Sequence, residues 1–335
     1  MTEIKLSALN LVPIREGQTD KDAIDDMVKL AQNLEKLNFE RYWIAEHHNA
    51  PNLVSSATAL LIQHTLEHTH SIKVGSGGIM LPNHAPLIVA EQFGTMATVF
   101  PNRVDLGLGR APGTDMMTAS ALRRDQHNGV YEFPDEVEQL ATYFGPANQQ
   151  GYVRAYPAVD KNVPLYVLGS STDSAHLAAR KGLPYVFAGH FAPQQMQDAM
   201  EIYKSLFEPS DVLDKPYMIV CLNAIVAETD AQAEYLASTQ AQVMVSITRG
   251  RMQPVQPPTD DLQGLLTPRE FELAKQRMSQ SLIGSEATVK EKLQNFIAEN
   301  GDIDELMAIS YIYDQEAQLD SYKRLNKLVS EMNNN

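Results

Sequence analysis

The chain has 335 residues, 44% of them hydrophobic, and a formal net charge of −15 from 27 basic against 42 acidic side chains. With no block of Lys or Arg, that balance argues against nucleic acid or an anionic membrane as the main partner and leaves a small molecule as the expected ligand. The single Cys221 excludes an intrachain disulfide framework, no apolar run approaches the roughly 18 residues of a membrane span, and the start Met1-Thr2-Glu3-Ile4-Lys5 lacks a basic-then-apolar signal, so a cytoplasmic protein is expected.

A first β-rich run spans Ile4 to Asn10. After Asp20, apolar residues fall at Ile24, Met27, Val28, Ala31 and Leu34, the i, i+3, i+4, i+7 spacing of a helix laid on a sheet. The second run, Arg41 to Ala45, carries the β-formers Tyr42, Trp43 and Ile44 and delivers Glu46, His47 and His48 at its end. An acid and two adjacent imidazoles at the C-terminal end of a strand stand where α/β proteins gather catalytic groups.

A helix over Ala57 to His68 leads to the third run, Ile72 to Ile79, which holds Gly75, Gly77 and Gly78 near its end. Glycine weakens a strand unless something approaches the backbone, so either a flat ligand over Gly77 and Gly78 or a plain β-bulge is expected. A helix over Pro86 to Val99 precedes the fourth run, Arg103 to Leu108. That run brings Arg110 to the same rim on a glycine-rich loop, where its guanidinium suits a phosphate or carboxylate; the alternative is a structural salt bridge to a loop acid such as Asp115.

The fifth run, Leu165 to Leu168, ends in Gly169-Ser170-Ser171 before a helix over Asp173 to Lys181. Hydroxyls here can simply cap the helix, yet Ser170, Ser171 and Ser174 with the free N–H groups also make an anion cup. In a barrel the loops after strands four and five are neighbours, so Arg110 can serve the same phosphate. The sixth run is Tyr185 to Ala188, the seventh Tyr217 to Val226 and the eighth Glu305 to Tyr311, with helices over Pro193 to Leu206, Asp230 to Val245, Glu286 to Glu299 and Gln315 to Glu331. Residues 249–284 break the rhythm with Pro254, Pro257, Pro258 and a short helical piece after Pro268, and are read as a lid. Eight strands, a helix after nearly every one and no composition break predict one (β/α)8 TIM-barrel domain over 1–335, with that insertion towards its C-terminal part.

His84 and His190 each follow a strand and can line the barrel mouth, whereas His64, His68 and His70 read as a solvated helix face, and His127 and His176 have no special context. A metal-dependent hydrolase is disfavoured. Strand one ends in Asn10-Leu11-Val12-Pro13 without a His-x-His, and adjacent His47 and His48 point to opposite faces of a continuing strand, so no metal is expected.

Several stretches together resemble the bacterial-luciferase-like flavin monooxygenases, in particular an uncharacterised single-chain branch: Glu46-His47-His48, Val74 to Ile79, Leu81 through His84 to Gln92 and Phe93, Arg103 to Thr114, Leu168 to Ser171, and Gly182 to Pro184. The resemblance implies a (β/α)8 barrel that binds FMN, mostly reduced and supplied by a separate NAD(P)H-dependent flavin reductase, with F420 the lesser alternative. It places a non-prolyl cis peptide at Gly77–Gly78, the FMN phosphate on Arg110, Ser171 and Ser174, the ring and ribityl chain near Ala45, Leu168 and Gly169, and the active-site histidine at His47. Relatives often carry Arg where this chain has Ser120, and Asp where it has Asn10. Barrels of the family pair through helices near strands two and three, so a homodimer is expected.

The activity so implied is oxygenation of a small organic substrate by reduced FMN and O2 through a flavin C4a-hydroperoxide, with a non-catalytic flavin-binding protein or an F420-dependent oxidoreductase as alternatives. An insertion that keeps the site dry and a histidine that titrates near neutrality suit that chemistry. The expectation at the second strand is that His47 alone faces the cofactor, His48 faces away and Glu46 is support.

Overall fold

The structure, a computed structural model, describes residues 3–111, 113–122 and 129–334, without the side chains of 129–131. In chain order its elements are β1 Lys5–Asn10, α1 Asp20–Lys36, β2 Arg41–Ile44, α2 Thr58–Glu67, β3 Lys73–Met80, α3 Pro86–Val99, β4 Val104–Gly109, α4 Met116–Leu122, α5 Gly129–Phe144, β5 Leu165–Gly169, α6 Thr172–Arg180, β6 Tyr185–Phe187, α7 Met196–Ser205, β7 Met218–Ala227, α8 Asp230–Thr248, α9 Leu262–Leu265, α10 Pro268–Arg277, β8 Leu282–Ser285, α11 Glu286–Asn300, β9 Glu305–Ile309 and α12 Gln315–Asn333. Parallel pairing runs from β1 through β6 in sequence order, then β6 to β7, β7 to β9 and β9 back to β1. The sheet therefore closes into the eight-stranded barrel that the alternation predicts. β8 is extra: it extends β7 at Ala224–Ala227, past the stretch of β7 that pairs with β6.

Period-two alternation sorts the side chains. Along β2, Tyr42 and Ile44 face outward into the layer shared with Met27, Leu34, Ile62 and Leu66 of the covering helices. Trp43 and Ala45 face inward with Leu9, Tyr166, Val186, Ile219, Cys221 and Met307, and the Trp43 ring meets Tyr166 edge-on at 4.9 Å. The barrel is thus filled by large side chains from alternate strands. Both layers read from sequence as apolar runs, because a parallel strand is covered on both faces.

The N-terminal end of the barrel is closed by charge. Arg41 Nη1 donates to Asp105 at 2.6 Å and to the Tyr166 hydroxyl at 2.6 Å, while its Nε donates to Glu305 at 2.9 Å. Trp43 Nε1 and the Tyr217 hydroxyl complete the two carboxylates, so each charge of this floor has a partner. Asn10, where relatives often carry Asp, lies away from this floor, at the C-terminal end of β1. It donates to the Tyr42 hydroxyl at 2.6 Å and accepts from the Val12 N–H at 2.7 Å.

Two parts go beyond the sequence reading. The segment between β4 and β5 holds α4, the helix expected around Ser120, and also α5, which was not anticipated and contains Pro134, a residue that usually marks a helix end. The insertion at 249–284 is also more structured than the proline pattern implies. Its α10 starts on a capping box formed by Thr267 and Glu270 and packs on α8, and β8 joins it to the sheet.

Candidate active site

β2 ends at the barrel mouth, where Glu46, His47 and His48 separate. Glu46 is 1% exposed and turns toward β3: its Oε1 lies 2.7 Å from His48 Nε2 and 2.8 Å from His84 Nε2, and its Oε2 accepts the Met80 N–H at 3.2 Å. Burial alone would push this carboxyl up, but the bonds from His48 and His84 outweigh it and hold the group below the usual range. His47 lies on the other side. Its Nδ1 is buried with no hydrogen-bond partner among the described residues, and burial lowers its pKa against the pull of Glu46.

His190, just past β6, presents a second imidazole with a buried, unpartnered Nδ1. Burial, helped by a charge on His47 and opposed by a hydrogen bond to the Cys221 backbone, pushes its pKa down to about 4, so the two rings share one electrostatic neighbourhood. Asn223 of β7 adds an unpartnered Oδ1; its Nδ2 is occupied by Ser281 at 3.2 Å. A mouth lined by orphaned polar atoms above an apolar barrel interior is the arrangement of a ligand site.

The Gly77–Gly78 peptide bond is cis, and the β3–β4 register shifts between Ser76 and Ile79. A side chain at Gly77 would meet Leu9 Cδ1 at 2.5 Å, and one at Gly78 would meet the Gly107 carbonyl at 2.8 Å. The strand is irregular there, and backbone packing inside the chain requires glycine at 78, while at 77 a side chain would have to displace the end of Leu9.

Arg110 pairs with Asp173 at the start of α6, at 3.1 Å, and not with Asp115. Asp115 is engaged by Thr118 and Asn49, which hold its carboxyl well below the usual range. The loops after β4 and β5 therefore do meet. Ser171 is the N-cap residue of α6 but makes no side-chain cap, so the first-turn N–H groups are not bonded by its hydroxyl. Ser174 differs from the expectation for its hydroxyl. It is buried, donating to the Ser171 carbonyl at 2.7 Å and lying 2.9 Å from the Tyr185 hydroxyl, so its backbone and not its side chain is what it offers an anion. Gly169 is required here, since a side chain would meet Ser174 Oγ at 1.8 Å. Ser120 is exposed and bonds back to the Met116 carbonyl; Arg123, Arg124 and His127 lie outside the described residues.

The profile of the luciferase-like monooxygenases matches residues 5–302. The chain belongs to the luciferase-like monooxygenase family. It is 44% identical over 332 residues to the uncharacterised protein YddN of Bacillus subtilis, covering 99% of this chain and 98% of that one. It is 42% identical over 320 residues to a luciferase-like monooxygenase of Escherichia coli K12, covering 96% and 95%. Among solved structures, apo-MsnO8 superposes with a TM-score of 0.87 at 30% identity over 98% of both chains. The fold alone is shared with an oxygenating subunit of 3,6-diketocamphane monooxygenase from Pseudomonas putida in complex with FMN (TM-score 0.74, 18% identity, 98% of both chains) and with an F420-dependent secondary alcohol dehydrogenase (TM-score 0.68, 14%, covering 98% and 99%). Oxidoreductase chemistry with a small-molecule substrate follows from family membership.

The residues singled out in the sequence, Ala45, Gly77, Gly78, Leu168, Gly169, Ser170 and Ser171, lie toward or just past the C-terminal ends of β2, β3 and β5, on one rim with His47 and Arg110. Two partnerships escaped the sequence. Glu46 binds His84 across 38 positions, and His190 lies close enough to His47 to feel its charge; each histidine follows a strand, which marks the rim but not the neighbour.

Proposed function

We propose that this chain is an FMN-dependent monooxygenase, using reduced FMN and O2 to oxygenate a small organic molecule. The observation that carries the cofactor assignment is the first turn of α6, left uncapped by Ser171, beside Arg110. A helix N-terminus and a guanidinium suit a phosphate dianion. The donor set fits FMN: Arg110 and the backbone of Ser171 to Ser174 would hold the phosphate, Leu168, Gly169 and Ser170 would flank the ribityl chain, and Ala45 with Gly77–Gly78 would lie along the ring. Bound reduced flavin supplies the activation of O2.

The chain's part is to bind, to move a proton and to exclude water. His47, its pKa lowered by burial, has an Nδ1 with no partner among the described residues and so can take or give a proton at the ligand. Glu46 positions the end of β2 from behind, through its bonds to His48, His84 and Met80. The segment 249–284 acts as the lid. Val255 in it is 3% exposed within the barrel's inner cluster, and its N–H donates to the Ile14 carbonyl at 2.8 Å. A separate NAD(P)H-dependent reductase delivers the reduced flavin. Leu60 of α2 and Ile88 and Val99 of α3, which are 72%, 48% and 57% exposed, support pairing of two barrels through those helices.

Two variants test the assignment. Arg110→Ala weakens FMN about ten- to a hundredfold while leaving riboflavin, which lacks the phosphate, unchanged. His47→Ala retains flavin yet loses product relative to hydrogen peroxide. Equal loss of FMN and riboflavin in the first contradicts a phosphate contact at Arg110, and unchanged coupled oxygenation in the second contradicts a proton-transfer role for His47.

A further inference from the structure

Adjacent His47 and His48 cannot bind one ion, but the folded chain supplies a different pair. His48, on the loop after β2, and His84, on the loop after β3, bring their Nε2 atoms to the same oxygen of Glu46, at 2.7 and 2.8 Å. All three donor atoms lie within 4.8 Å of one another. We propose that Glu46, His48 and His84 form a site for a first-row divalent cation of the Zn2+ class, distinct from the flavin pocket on the His47 side.

Four features carry this. Two imidazole nitrogens and one carboxylate oxygen are the donor set of borderline ions, which Mg2+ and Ca2+ do not select. The carboxylate is oriented in advance, since Oε2 is fixed by the Met80 N–H and Oε1 is left pointing at both rings. Metal bonds of about 2.0–2.1 Å set donor atoms roughly 3.3 Å apart in a tetrahedron. Each ring must therefore retreat from Glu46 by about half an ångström, which is possible because the His48 and His84 side chains are 12% and 30% exposed while Glu46 stays fixed. Finally, the site has an open side. His48 lines a groove of about 470 Å³ with Asn49, Asp115, Met117, Thr118 and Ala121, so a fourth position is accessible to water or a ligand.

Binding exchanges protons for metal. Ligation needs both Nε2 atoms free of protons, each neutral ring carrying its proton on Nδ1, so protons compete with the metal for these nitrogens and affinity falls as pH falls. The ion would staple the β2 and β3 loops together directly behind His47. Nothing in this site depends on the flavin reading, and its test needs no flavin.

Tag-free, full-length protein is stripped with chelator and titrated with Co2+, then with Zn2+. The expected result is one equivalent of Co2+ with the visible absorption of a four- or five-coordinate ion, abolished by equimolar Zn2+. His48→Ala or His84→Ala weakens binding at least about tenfold, and His64→Ala, at a surface pair whose rings lie 4.4 Å apart, does not. Because a variant may fail to fold, the wild-type protein is also modified with diethyl pyrocarbonate, with Zn2+ expected to protect His48 and His84 but not His64. Absence of a stoichiometric Co2+ spectrum, its survival in a variant carrying both His48→Ala and His84→Ala, or its loss in His64→Ala overturns the site, as does lack of protection at His48 and His84.

Discussion

At Asp173 the proposed anion cup carries a charge of the wrong sign. The residue sits in the first turn of α6, 67% exposed, and holds Arg110 at 3.1 Å. A phosphate must take that guanidinium from it and then tolerate the carboxylate nearby. Asp173→Asn is therefore expected to tighten FMN by two- to fivefold, on the order of 0.3–1 kcal/mol for a solvated charge at a helix start, read by quenching of flavin fluorescence. An unchanged or weaker affinity places the phosphate elsewhere. His190 makes a second prediction. Its folded pKa of about 4 lies below the unfolded value, so the unfolded chain binds the extra proton, and the associated stability is complete above about pH 6.5 and is lost as pH falls toward 4. Between pH 6.5 and 5 this amounts to on the order of 2 kcal/mol, and His190→Asn should flatten that limb of the urea midpoint against pH. A limb of the same slope in the variant assigns the acid sensitivity to other groups.

Among the elements, the junction of β5 and α6 decides whether the cup exists. Gly169 allows Ser174 to approach the strand, and Ser174 in turn bonds to Ser171 and Tyr185. Gly169→Ala forces the helix start outward, with an expected cost of about 1–3 kcal/mol in thermal or urea unfolding and a larger loss of affinity for FMN than for riboflavin. Equal loss for both would mean that the helix start does not hold the phosphate. This junction also shows what sequence can carry. Gly-Ser-Ser after an apolar run marks a strand end and a helix start by local rules, but whether a hydroxyl caps the helix or turns to Tyr185 depends on a residue eleven positions away. The same holds at Glu46: its place at a strand end is local, its bond to His84 is not. The missed α5 and β8 have opposite causes. Pro134 contradicts a helix that its surroundings impose, and β8, of four residues, is too short for alternation to register and exists only because β7 runs on beyond its pairing with β6.

For the whole molecule, closure of the barrel rests on pairing across its girth, and Arg41 ties that girth at one end. From β2 it reaches Asp105 of β4, Tyr166 of β5 and Glu305 of β9, all in the interior. Arg41→Met leaves two buried carboxylates without their cation and is expected to cost about 3–5 kcal/mol in urea unfolding, with flavin affinity affected only through folding. A loss under about 1 kcal/mol would mean the floor is dispensable. The eight-strand rhythm was legible because parallel strands are continuous apolar runs separated by amphipathic helices, and the barrel needs nothing more specific to be recognised. The floor was not, since one Arg and two acids spread over 264 positions look like any surface charges until the barrel closes. The central claim, a reduced-FMN monooxygenase, is tested most directly by anaerobic titration of the protein with reduced FMN, oxidised FMN and F420, followed by rapid mixing with O2. One reduced FMN per chain, bound in preference to F420 and reoxidised through an absorbing species distinct from both reduced and oxidised flavin, is the expected result; preference for F420, or no flavin bound at all, would contradict it.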